Sequence, residues 1–249
     1  QRRILPNQKS SIFTVKIIRS YSLCRDNACI VRYIITNMKV KTFVTNPLRE
    51  NTYLLIDEES KKCVVVDAGF LFDYEEEEFC KYLETEGLKL TRILNTHMHL
   101  DHCFGNDFLY KRFGLKAEAN QLEEKNLELL KSYAQVFGIP YHGDIQGLKS
   151  YLNDGDVVKF GETHLQVISV PGHSAGGVGF YNEKDGVLII GDSLFKGSIG
   201  RTDLPGGDYG TLISSLTKRI MTLPENTIVY PGHGPSTTIA FEKQYNPYL

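Results

Sequence analysis

The sequence of 249 residues predicts an α+β fold, and three observations carry the prediction. Short apolar runs bounded by turn residues alternate with segments of helical periodicity. They do so in two similar sequential halves, and no Gly/Ser-rich linker separates the halves, so both are expected in one domain.

The first strand is expected over 39–45, beginning Lys39-Val40-Lys41-Thr42, with a turn at Asn46-Pro47 and a second strand over Thr52–Asp57. A charged turn then leads to a strand over Cys63–Val66, giving the sheet an antiparallel start. Residues 74–86 have a helical pattern with the acidic run Glu75–Glu78 in the first turn, where the helix dipole favours it, and Gly87 as a stop. That acidic run is read as a solvated face. A short strand over 91–95 follows, then helices over 107–113 and 120–137. Strands are expected at Val157–Phe160, His164–Val170, Val178–Tyr181 and Val187–Ile190, then a helix over Tyr209–Thr222 and a last strand at Thr227–Tyr230.

Residues 1–37 read differently. They carry seven Lys or Arg and one acid, Asp26, a charge of +6; against a total of −2, the body from 38 to 249 stands at −8. The segment lacks methionine and clear alternation, so it is read as an N-terminal extension outside the core, with Met38 as the expected natural start. A targeting presequence and a structured extension are the alternatives. The acidic body argues against nucleic acid as a partner. No run approaches 18 uninterrupted apolar residues, so no membrane span is expected. Five scattered cysteines without a CxxC pair indicate neither a disulfide framework nor a zinc ribbon, and suit a reducing, cytoplasmic setting. Cys103 is read as a small buried hydrophobe packing behind the main motif, the alternative being a reactive thiol.

Five of the seven histidines fall at strand ends within short motifs. Thr96-His97-Met98-His99-Leu100-Asp101-His102 follows the strand at 91–95. In extended chain, residues two apart point the same way, so His97 and His99 can reach one metal ion. Asp101 and His102 lie where the chain turns toward a helix and can serve a second ion. Pro171-Gly172-His173, Gly191-Asp192-Ser193 and Pro231-Gly232-His233-Gly234 each follow an apolar strand, and glycine beside the ligand lets the backbone bend and approach closely. Five imidazoles and two carboxylates suit a pair of divalent ions, zinc first, with iron or manganese also compatible. His142 and His164 lie outside these motifs and are read as ordinary polar residues.

This pattern resembles the metallo-β-lactamase superfamily, and the resemblance runs from about Met38 to the end of the chain. It implies an αββα sandwich, two mixed sheets flanked by helices, with the site at one edge. It also implies a ligand division: His97, His99 and His173 on one ion, Asp101, His102 and His233 on the other, Asp192 bridging, and Asp67 behind the site. The run from Gly191 to Asp203 is similar to the hydroxyacylglutathione hydrolase (glyoxalase II) branch, in its short form without a C-terminal helical domain.

The function expected is therefore hydrolysis of a small thioester by a hydroxide shared between two ions, with Asp101 and Asp192 as the carboxylates at the chemistry. A different reaction class also fits: a mononuclear iron dioxygenase acting on a persulfide, with His97, His173 and Asp192 as its triad. Arg201 and Lys196 are candidates for holding a substrate carboxylate, with a surface salt bridge as the alternative. The oligomeric state is not legible from the sequence.

Overall fold

The computed structural model describes residues 19–25, 28–34 and 38–249, the first two segments as backbone only. The chain divides into two units at Thr36/Asn37. The first contains an antiparallel hairpin of β1 (Arg19–Arg25) and β2 (Ala28–Ile34). The reading of residues 1–37 as an extension otherwise falls outside the described residues.

The second unit opens with β3 (Met38–Thr45), β4 (Glu50–Asp57) and β5 (Lys62–Val66), paired antiparallel as expected. Helix α1 (Asp73–Glu86) ends on Gly87 in the left-handed region, φ 64°, which glycine adopts without steric cost. It crosses to β6 (Lys89–Leu94), parallel to β5. After α2 (Asn106–Phe113) come β7 (Ala117–Ala119), α3 (Glu124–Val136) and β8 (Ser150–Tyr151), completing a sheet of order β3-β4-β5-β6-β7-β8. The sequence reading lacked β7 and β8, which are too short to show periodicity. Its helix over 120–137 begins as a 3-10 turn at Gln121–Glu123.

The second half repeats the plan. Strands β9 (Val157–Phe160), β10 (Thr163–Ser169), β11 (Val178–Asn182) and β12 (Val187–Gly191) form an antiparallel run. A small hairpin, β13 (Leu194–Phe195) with β14 (Ser198–Ile199), stands apart as its own sheet. Helix α4 (Tyr209–Ser215) continues as a π-helical turn over Leu216–Ile220, so the expected helix to Thr222 is regular for only half its length. Then β15 (Ile228–Pro231) joins β12 in parallel, and β16 (Thr237–Thr238) and α5 (Ile239–Tyr245), neither anticipated, close the chain.

Strand alternation sorts the side chains into layers. Leu55, Val64 and Val66 of the first sheet meet Leu165, Val167, Phe180 and Ile189 of the second in the central core. The intervening residues Leu54, Ile56, Cys63 and Val65 face outward against Phe79 and Leu83 of α1 and Leu109 of α2. Ile168, Leu188 and Ile190 pack on Leu212 and Leu216 in the same way. This is the αββα sandwich the resemblance implied. Among the described residues no helix is long and apolar enough to cross a membrane.

One feature of α1 differs from expectation. Glu75 is not solvated but 7% exposed, its carboxylate accepting the amides of Asn46 (2.7 Å), Leu71 (2.8 Å) and Phe72 (3.2 Å). An acid in a first helical turn can satisfy orphan amides instead of facing water. Glu77 and Glu78 do face solvent.

Candidate metal centre

All the ligand-bearing loops leave strands at one edge of the sandwich, because β5, β6, β10, β12 and β15 end there. The structure brings His97, His99 and His173 together in one group, and Asp101, His102 and His233 in another, the nitrogen and carboxylate atoms of each lying within 4.8 Å of one another. Asp192 stands between them. Its Oδ1 is 3.3 Å from His102 Nε2, and its Oδ2 lies 3.6 Å from His233 Nε2 and 3.8 Å from His173 Nε2.

Four of the five rings are oriented from behind. Asp67, at the end of β5 with φ 53°, accepts the amide and hydroxyl of Thr96 at 2.7 and 2.6 Å and lies 3.1 Å from His102 Nδ1. That leaves His102 Nε2 directed inward. Thr96 Oγ1 is 3.0 Å from His97 Nδ1, the carbonyl of Arg201 is 2.8 Å from His173 Nδ1, and the carbonyl of Leu48 is 3.1 Å from His233 Nδ1. His99 instead turns Nδ1 toward the group, 2.9 Å from His173 Nε2.

The donor set fits divalent ions on its own chemistry. His97 Nε2, His102 Nε2 and Asp192 Oδ1 are buried and have no hydrogen-bond partner among the described residues, a costly arrangement that cations at the centre would relieve. Burial and the neighbouring imidazoles push His97 well down and His99 down to about 3, so both rings are neutral and keep a lone pair for a ligand. Burial also presses His102 down, but Asp192, Asp101 and Asp67 outweigh it and hold the ring well above its ordinary value. Burial pushes Asp192 up, yet the imidazoles of His102, His233 and His173 hold its carboxyl well below the usual range. Asp101 is lowered by the same balance of burial against His102 and His233. The centre thus pairs neutral imidazole donors at His97 and His99 with ionised carboxylates at Asp101 and Asp192.

Glycines clear the space. A Cβ on Gly232 would collide with Asp192 Oδ1 and come within 2.6 Å of His102 Cε1; one on Gly69 would lie 2.5 Å from the Asp101 carbonyl. The loops are also stitched across the two halves. Asn51 donates from Nδ2 to the carbonyls of Pro231 (3.0 Å) and Gly234 (2.9 Å), and the Tyr53 hydroxyl donates to Pro231 at 2.6 Å.

The remaining candidates sort clearly. Cys103 is 1% exposed, with burial raising its thiol well above the ordinary value, so it is the packed hydrophobe expected. Arg201 forms a two-pronged exposed pair with Asp203 (2.8 and 2.7 Å), and Lys196 lies 5.1 Å over the Phe241 ring. Neither side chain is placed toward the ligands by these contacts. His142 and His164 are exposed and outside both groups.

Two acids escaped the sequence reading. Glu50 is fully buried at the start of β4, where β5 ends; its Oε2 accepts the hydroxyls of Thr45 and Thr52, both at 2.8 Å, and its Oε1 is 3.8 Å from His102 Nδ1. Burial pushes this carboxyl well up, against the pull of His102. Glu123, also fully buried, accepts the amides of Met98 (2.9 Å) and Gly176 (2.7 Å). Glu50 carried a faint signal, an acid opening an apolar strand; Glu123 had none beyond the helix-start spacing Asn120 to Glu123.

Comparison with known proteins agrees with this geometry. Residues 45–233 match the model of the metallo-beta-lactamase superfamily. Hydroxyacylglutathione hydrolase GloC of Haemophilus influenzae is 34% identical over 213 residues, 85% of this chain and 98% of that protein. Among solved structures, BLEG-1 B3 metallo-beta-lactamase superposes with a TM-score of 0.77 at 35% identity, covering 85% of this chain and 99% of that one. The di-iron-bound form of TTHA1623 superposes with a TM-score of 0.75 at 36% identity, covering 84% and 100%. The fold, the paired ligand groups and these matches together place the chain in the metallo-β-lactamase superfamily, among its metallo-hydrolases.

Proposed function

We propose that the chain hydrolyses a small thioester of the hydroxyacylglutathione class. His97, His99 and His173 would hold one divalent ion, Asp101, His102 and His233 a second, and Asp192 would bridge them. Zinc is the ion we assign, since imidazole and carboxylate donors suit it and it needs no redox partner. The single observation that carries the reading is Asp192, with one carboxylate oxygen facing His102 and the other facing His173 and His233, between two complete ligand groups.

Held by these residues, two divalent ions would supply an activated water at neutral pH and polarisation of an acyl carbonyl. The chain's own residues do the rest. Asp67 and Thr96 fix the tautomers and tilt of His102 and His97, keeping Nε2 of each on the centre. Asp101 and Asp192 are the carboxylates placed against the reacting atoms, and both are held ionised by the surrounding imidazoles. A thiolate with a pKa of about 8.5 departs without a donated proton, so the reaction asks for no further acid. The name borne by the Haemophilus influenzae relative supports this substrate class.

The test is a thioester panel, led by S-lactoylglutathione, assayed on metal-analysed protein in air and under argon. The expected result is equal turnover in both, because water supplies the only new oxygen atom, with about two ions per chain. Loss of all activity under argon, with oxygen uptake on a persulfide and about one iron per chain, would replace this reading by the dioxygenase built on His97, His173 and Asp192.

A further inference from the structure

We infer that the two ion positions are supported separately, by two buried glutamates that belong to no ligand motif: Glu50 is the positioning residue of the Asp101/His102/His233 position, and Glu123 that of the His97/His99/His173 position. The inference rests on the two-ion reading above.

Glu50 reaches both histidines of its group, His102 through its side chain and His233 through its backbone. Its side chain approaches His102 from behind, with Oε1 buried, without a hydrogen-bond partner among the described residues and 3.8 Å from Nδ1. Its backbone forms an isolated β-bridge with His233, and the amide of the next residue, Asn51, donates to the Gly232 carbonyl at 2.7 Å. The carboxyl cannot drift, because both threonine hydroxyls are committed to its other oxygen. Thr52 Oγ1 already accepts the Gly69 amide at 2.9 Å, so the hydroxyl proton is left for Glu50 Oε2. Thr45, paired with Glu50 across β3 and β4, delivers the second hydroxyl. The free oxygen faces the Nδ1 edge of His102 at 3.8 Å, the same edge that lies 3.1 Å from Asp67 Oδ2.

Glu123 touches neither His102 nor His233. It takes the Met98 amide, between His97 and His99, on one oxygen and the Gly176 amide, three residues past His173, on the other. Asn126 Nδ2 fixes the first oxygen at 2.9 Å. One carboxylate therefore ties together the two loops that carry all three ligands of the first group. Glu50 and Glu123 have no common partner, so their effects should separate.

The experiment is a zinc and cobalt titration of the full chain, with chelator competition, for wild type, Glu50→Gln and Glu123→Gln. His99→Ala and His233→Ala serve as references lacking one position each. In Glu50→Gln the amide oxygen takes the threonine hydroxyls and turns an NH2 against the His102 N–H. In Glu123→Gln an NH2 meets a backbone amide. The expected outcome is a crossover. Glu50→Gln loses about 10–100-fold in affinity at one position and its cobalt spectrum becomes that of His233→Ala, while Glu123→Gln loses similarly at the other and matches His99→Ala. Each substitution should lower the melting of the ion-loaded protein by more than that of the ion-free protein. Thr45→Val, which removes one hydroxyl from Glu50 and touches no ligand, should weaken the Glu50-supported position alone by several-fold, and it decides the matter should Glu50→Gln not fold. Equal loss at both positions in each variant, native affinity at both, or ion-free melting lowered as much as ion-loaded melting would overturn the inference. Fewer than two ions on the wild type would instead overturn the two-ion reading itself.

Discussion

At the scale of single residues, the site is a balance between crowded positive-charge acceptors and the space left around them. Asp192 illustrates the first half. Two ions at close range would repel strongly, and on the proposed reading Asp192 and Asp101 would be the carboxylates that offset them. Asp192→Asn keeps the shape and removes the charge, so turnover should fall by roughly two orders of magnitude; metal analysis of the folded mutant should show a depleted centre, and full metal content with wild-type turnover would remove Asp192 from the bridge. Gly232 illustrates the second half. Because a methyl there would occupy the ground of Asp192 Oδ1 and His102 Cε1, Gly232→Ala should displace one or the other and lose ion binding, read by chelator competition, while circular dichroism stays native.

At the scale of elements, strands deliver the ligands but turns and caps aim them. Helix α1 shows how an element far from the chemistry reaches it. Glu75 holds the Asn46 amide, and Asn46 in turn donates from Nδ2 to the carbonyls of Gly69 (3.0 Å) and Asp101 (3.1 Å). Glu75→Ala would leave three buried or half-buried amides without their acceptor, at a cost of about 1–3 kcal/mol. Glu77→Ala, two residues on at the solvent face, should stay within about 0.5 kcal/mol. Urea midpoints of the two variants check the contrast, and equal midpoints would return Glu75 to the solvated face that the acidic run suggested.

At the scale of the whole molecule, the two sheets are joined at both ends of the central core. The ligand edge is stitched by Asn51 and Tyr53 to the 231–234 loop; the opposite end is held by Asp57. This buried aspartate accepts from the Ser60 amide and hydroxyl (2.8 and 2.7 Å) within the first half, and from the Glu162 amide (3.1 Å) and Thr163 hydroxyl (2.8 Å) of the second. Burial pushes its carboxyl up, but these donors prevail and hold it below the ordinary 3.8. A carboxyl lowered by folding stabilises the fold fully above its unfolded value and loses that contribution as pH falls through the folded value. The stability difference between wild type and Asp57→Asn should therefore be constant from neutral pH down to about 5 and shrink below about 4, measured by melting in a pH series. A difference that grows on acidification would contradict the sign.

The sequence by itself determined the seven candidate ligands and most of the strands, since each rests on a local pattern: an HxHxDH run, a Gly-flanked single ligand after an apolar strand, a periodicity of two; Asp67 behind the site came from the family resemblance alone. It also separated Cys103, His142 and His164 from the chemistry. Tertiary structure alone decided where partners come from distant segments. β7, β8, β13, β14 and β16 are two or three residues long and exist only because a neighbouring strand pairs with them. Glu75 went from a solvated face to a buried cap because Asn46 folds over it. Glu50 and Glu123 gained their places because Thr45, His102, Met98 and Gly176 converge on them from other elements, and a carboxylate has no sequence signature for a donor that arrives from elsewhere in the chain.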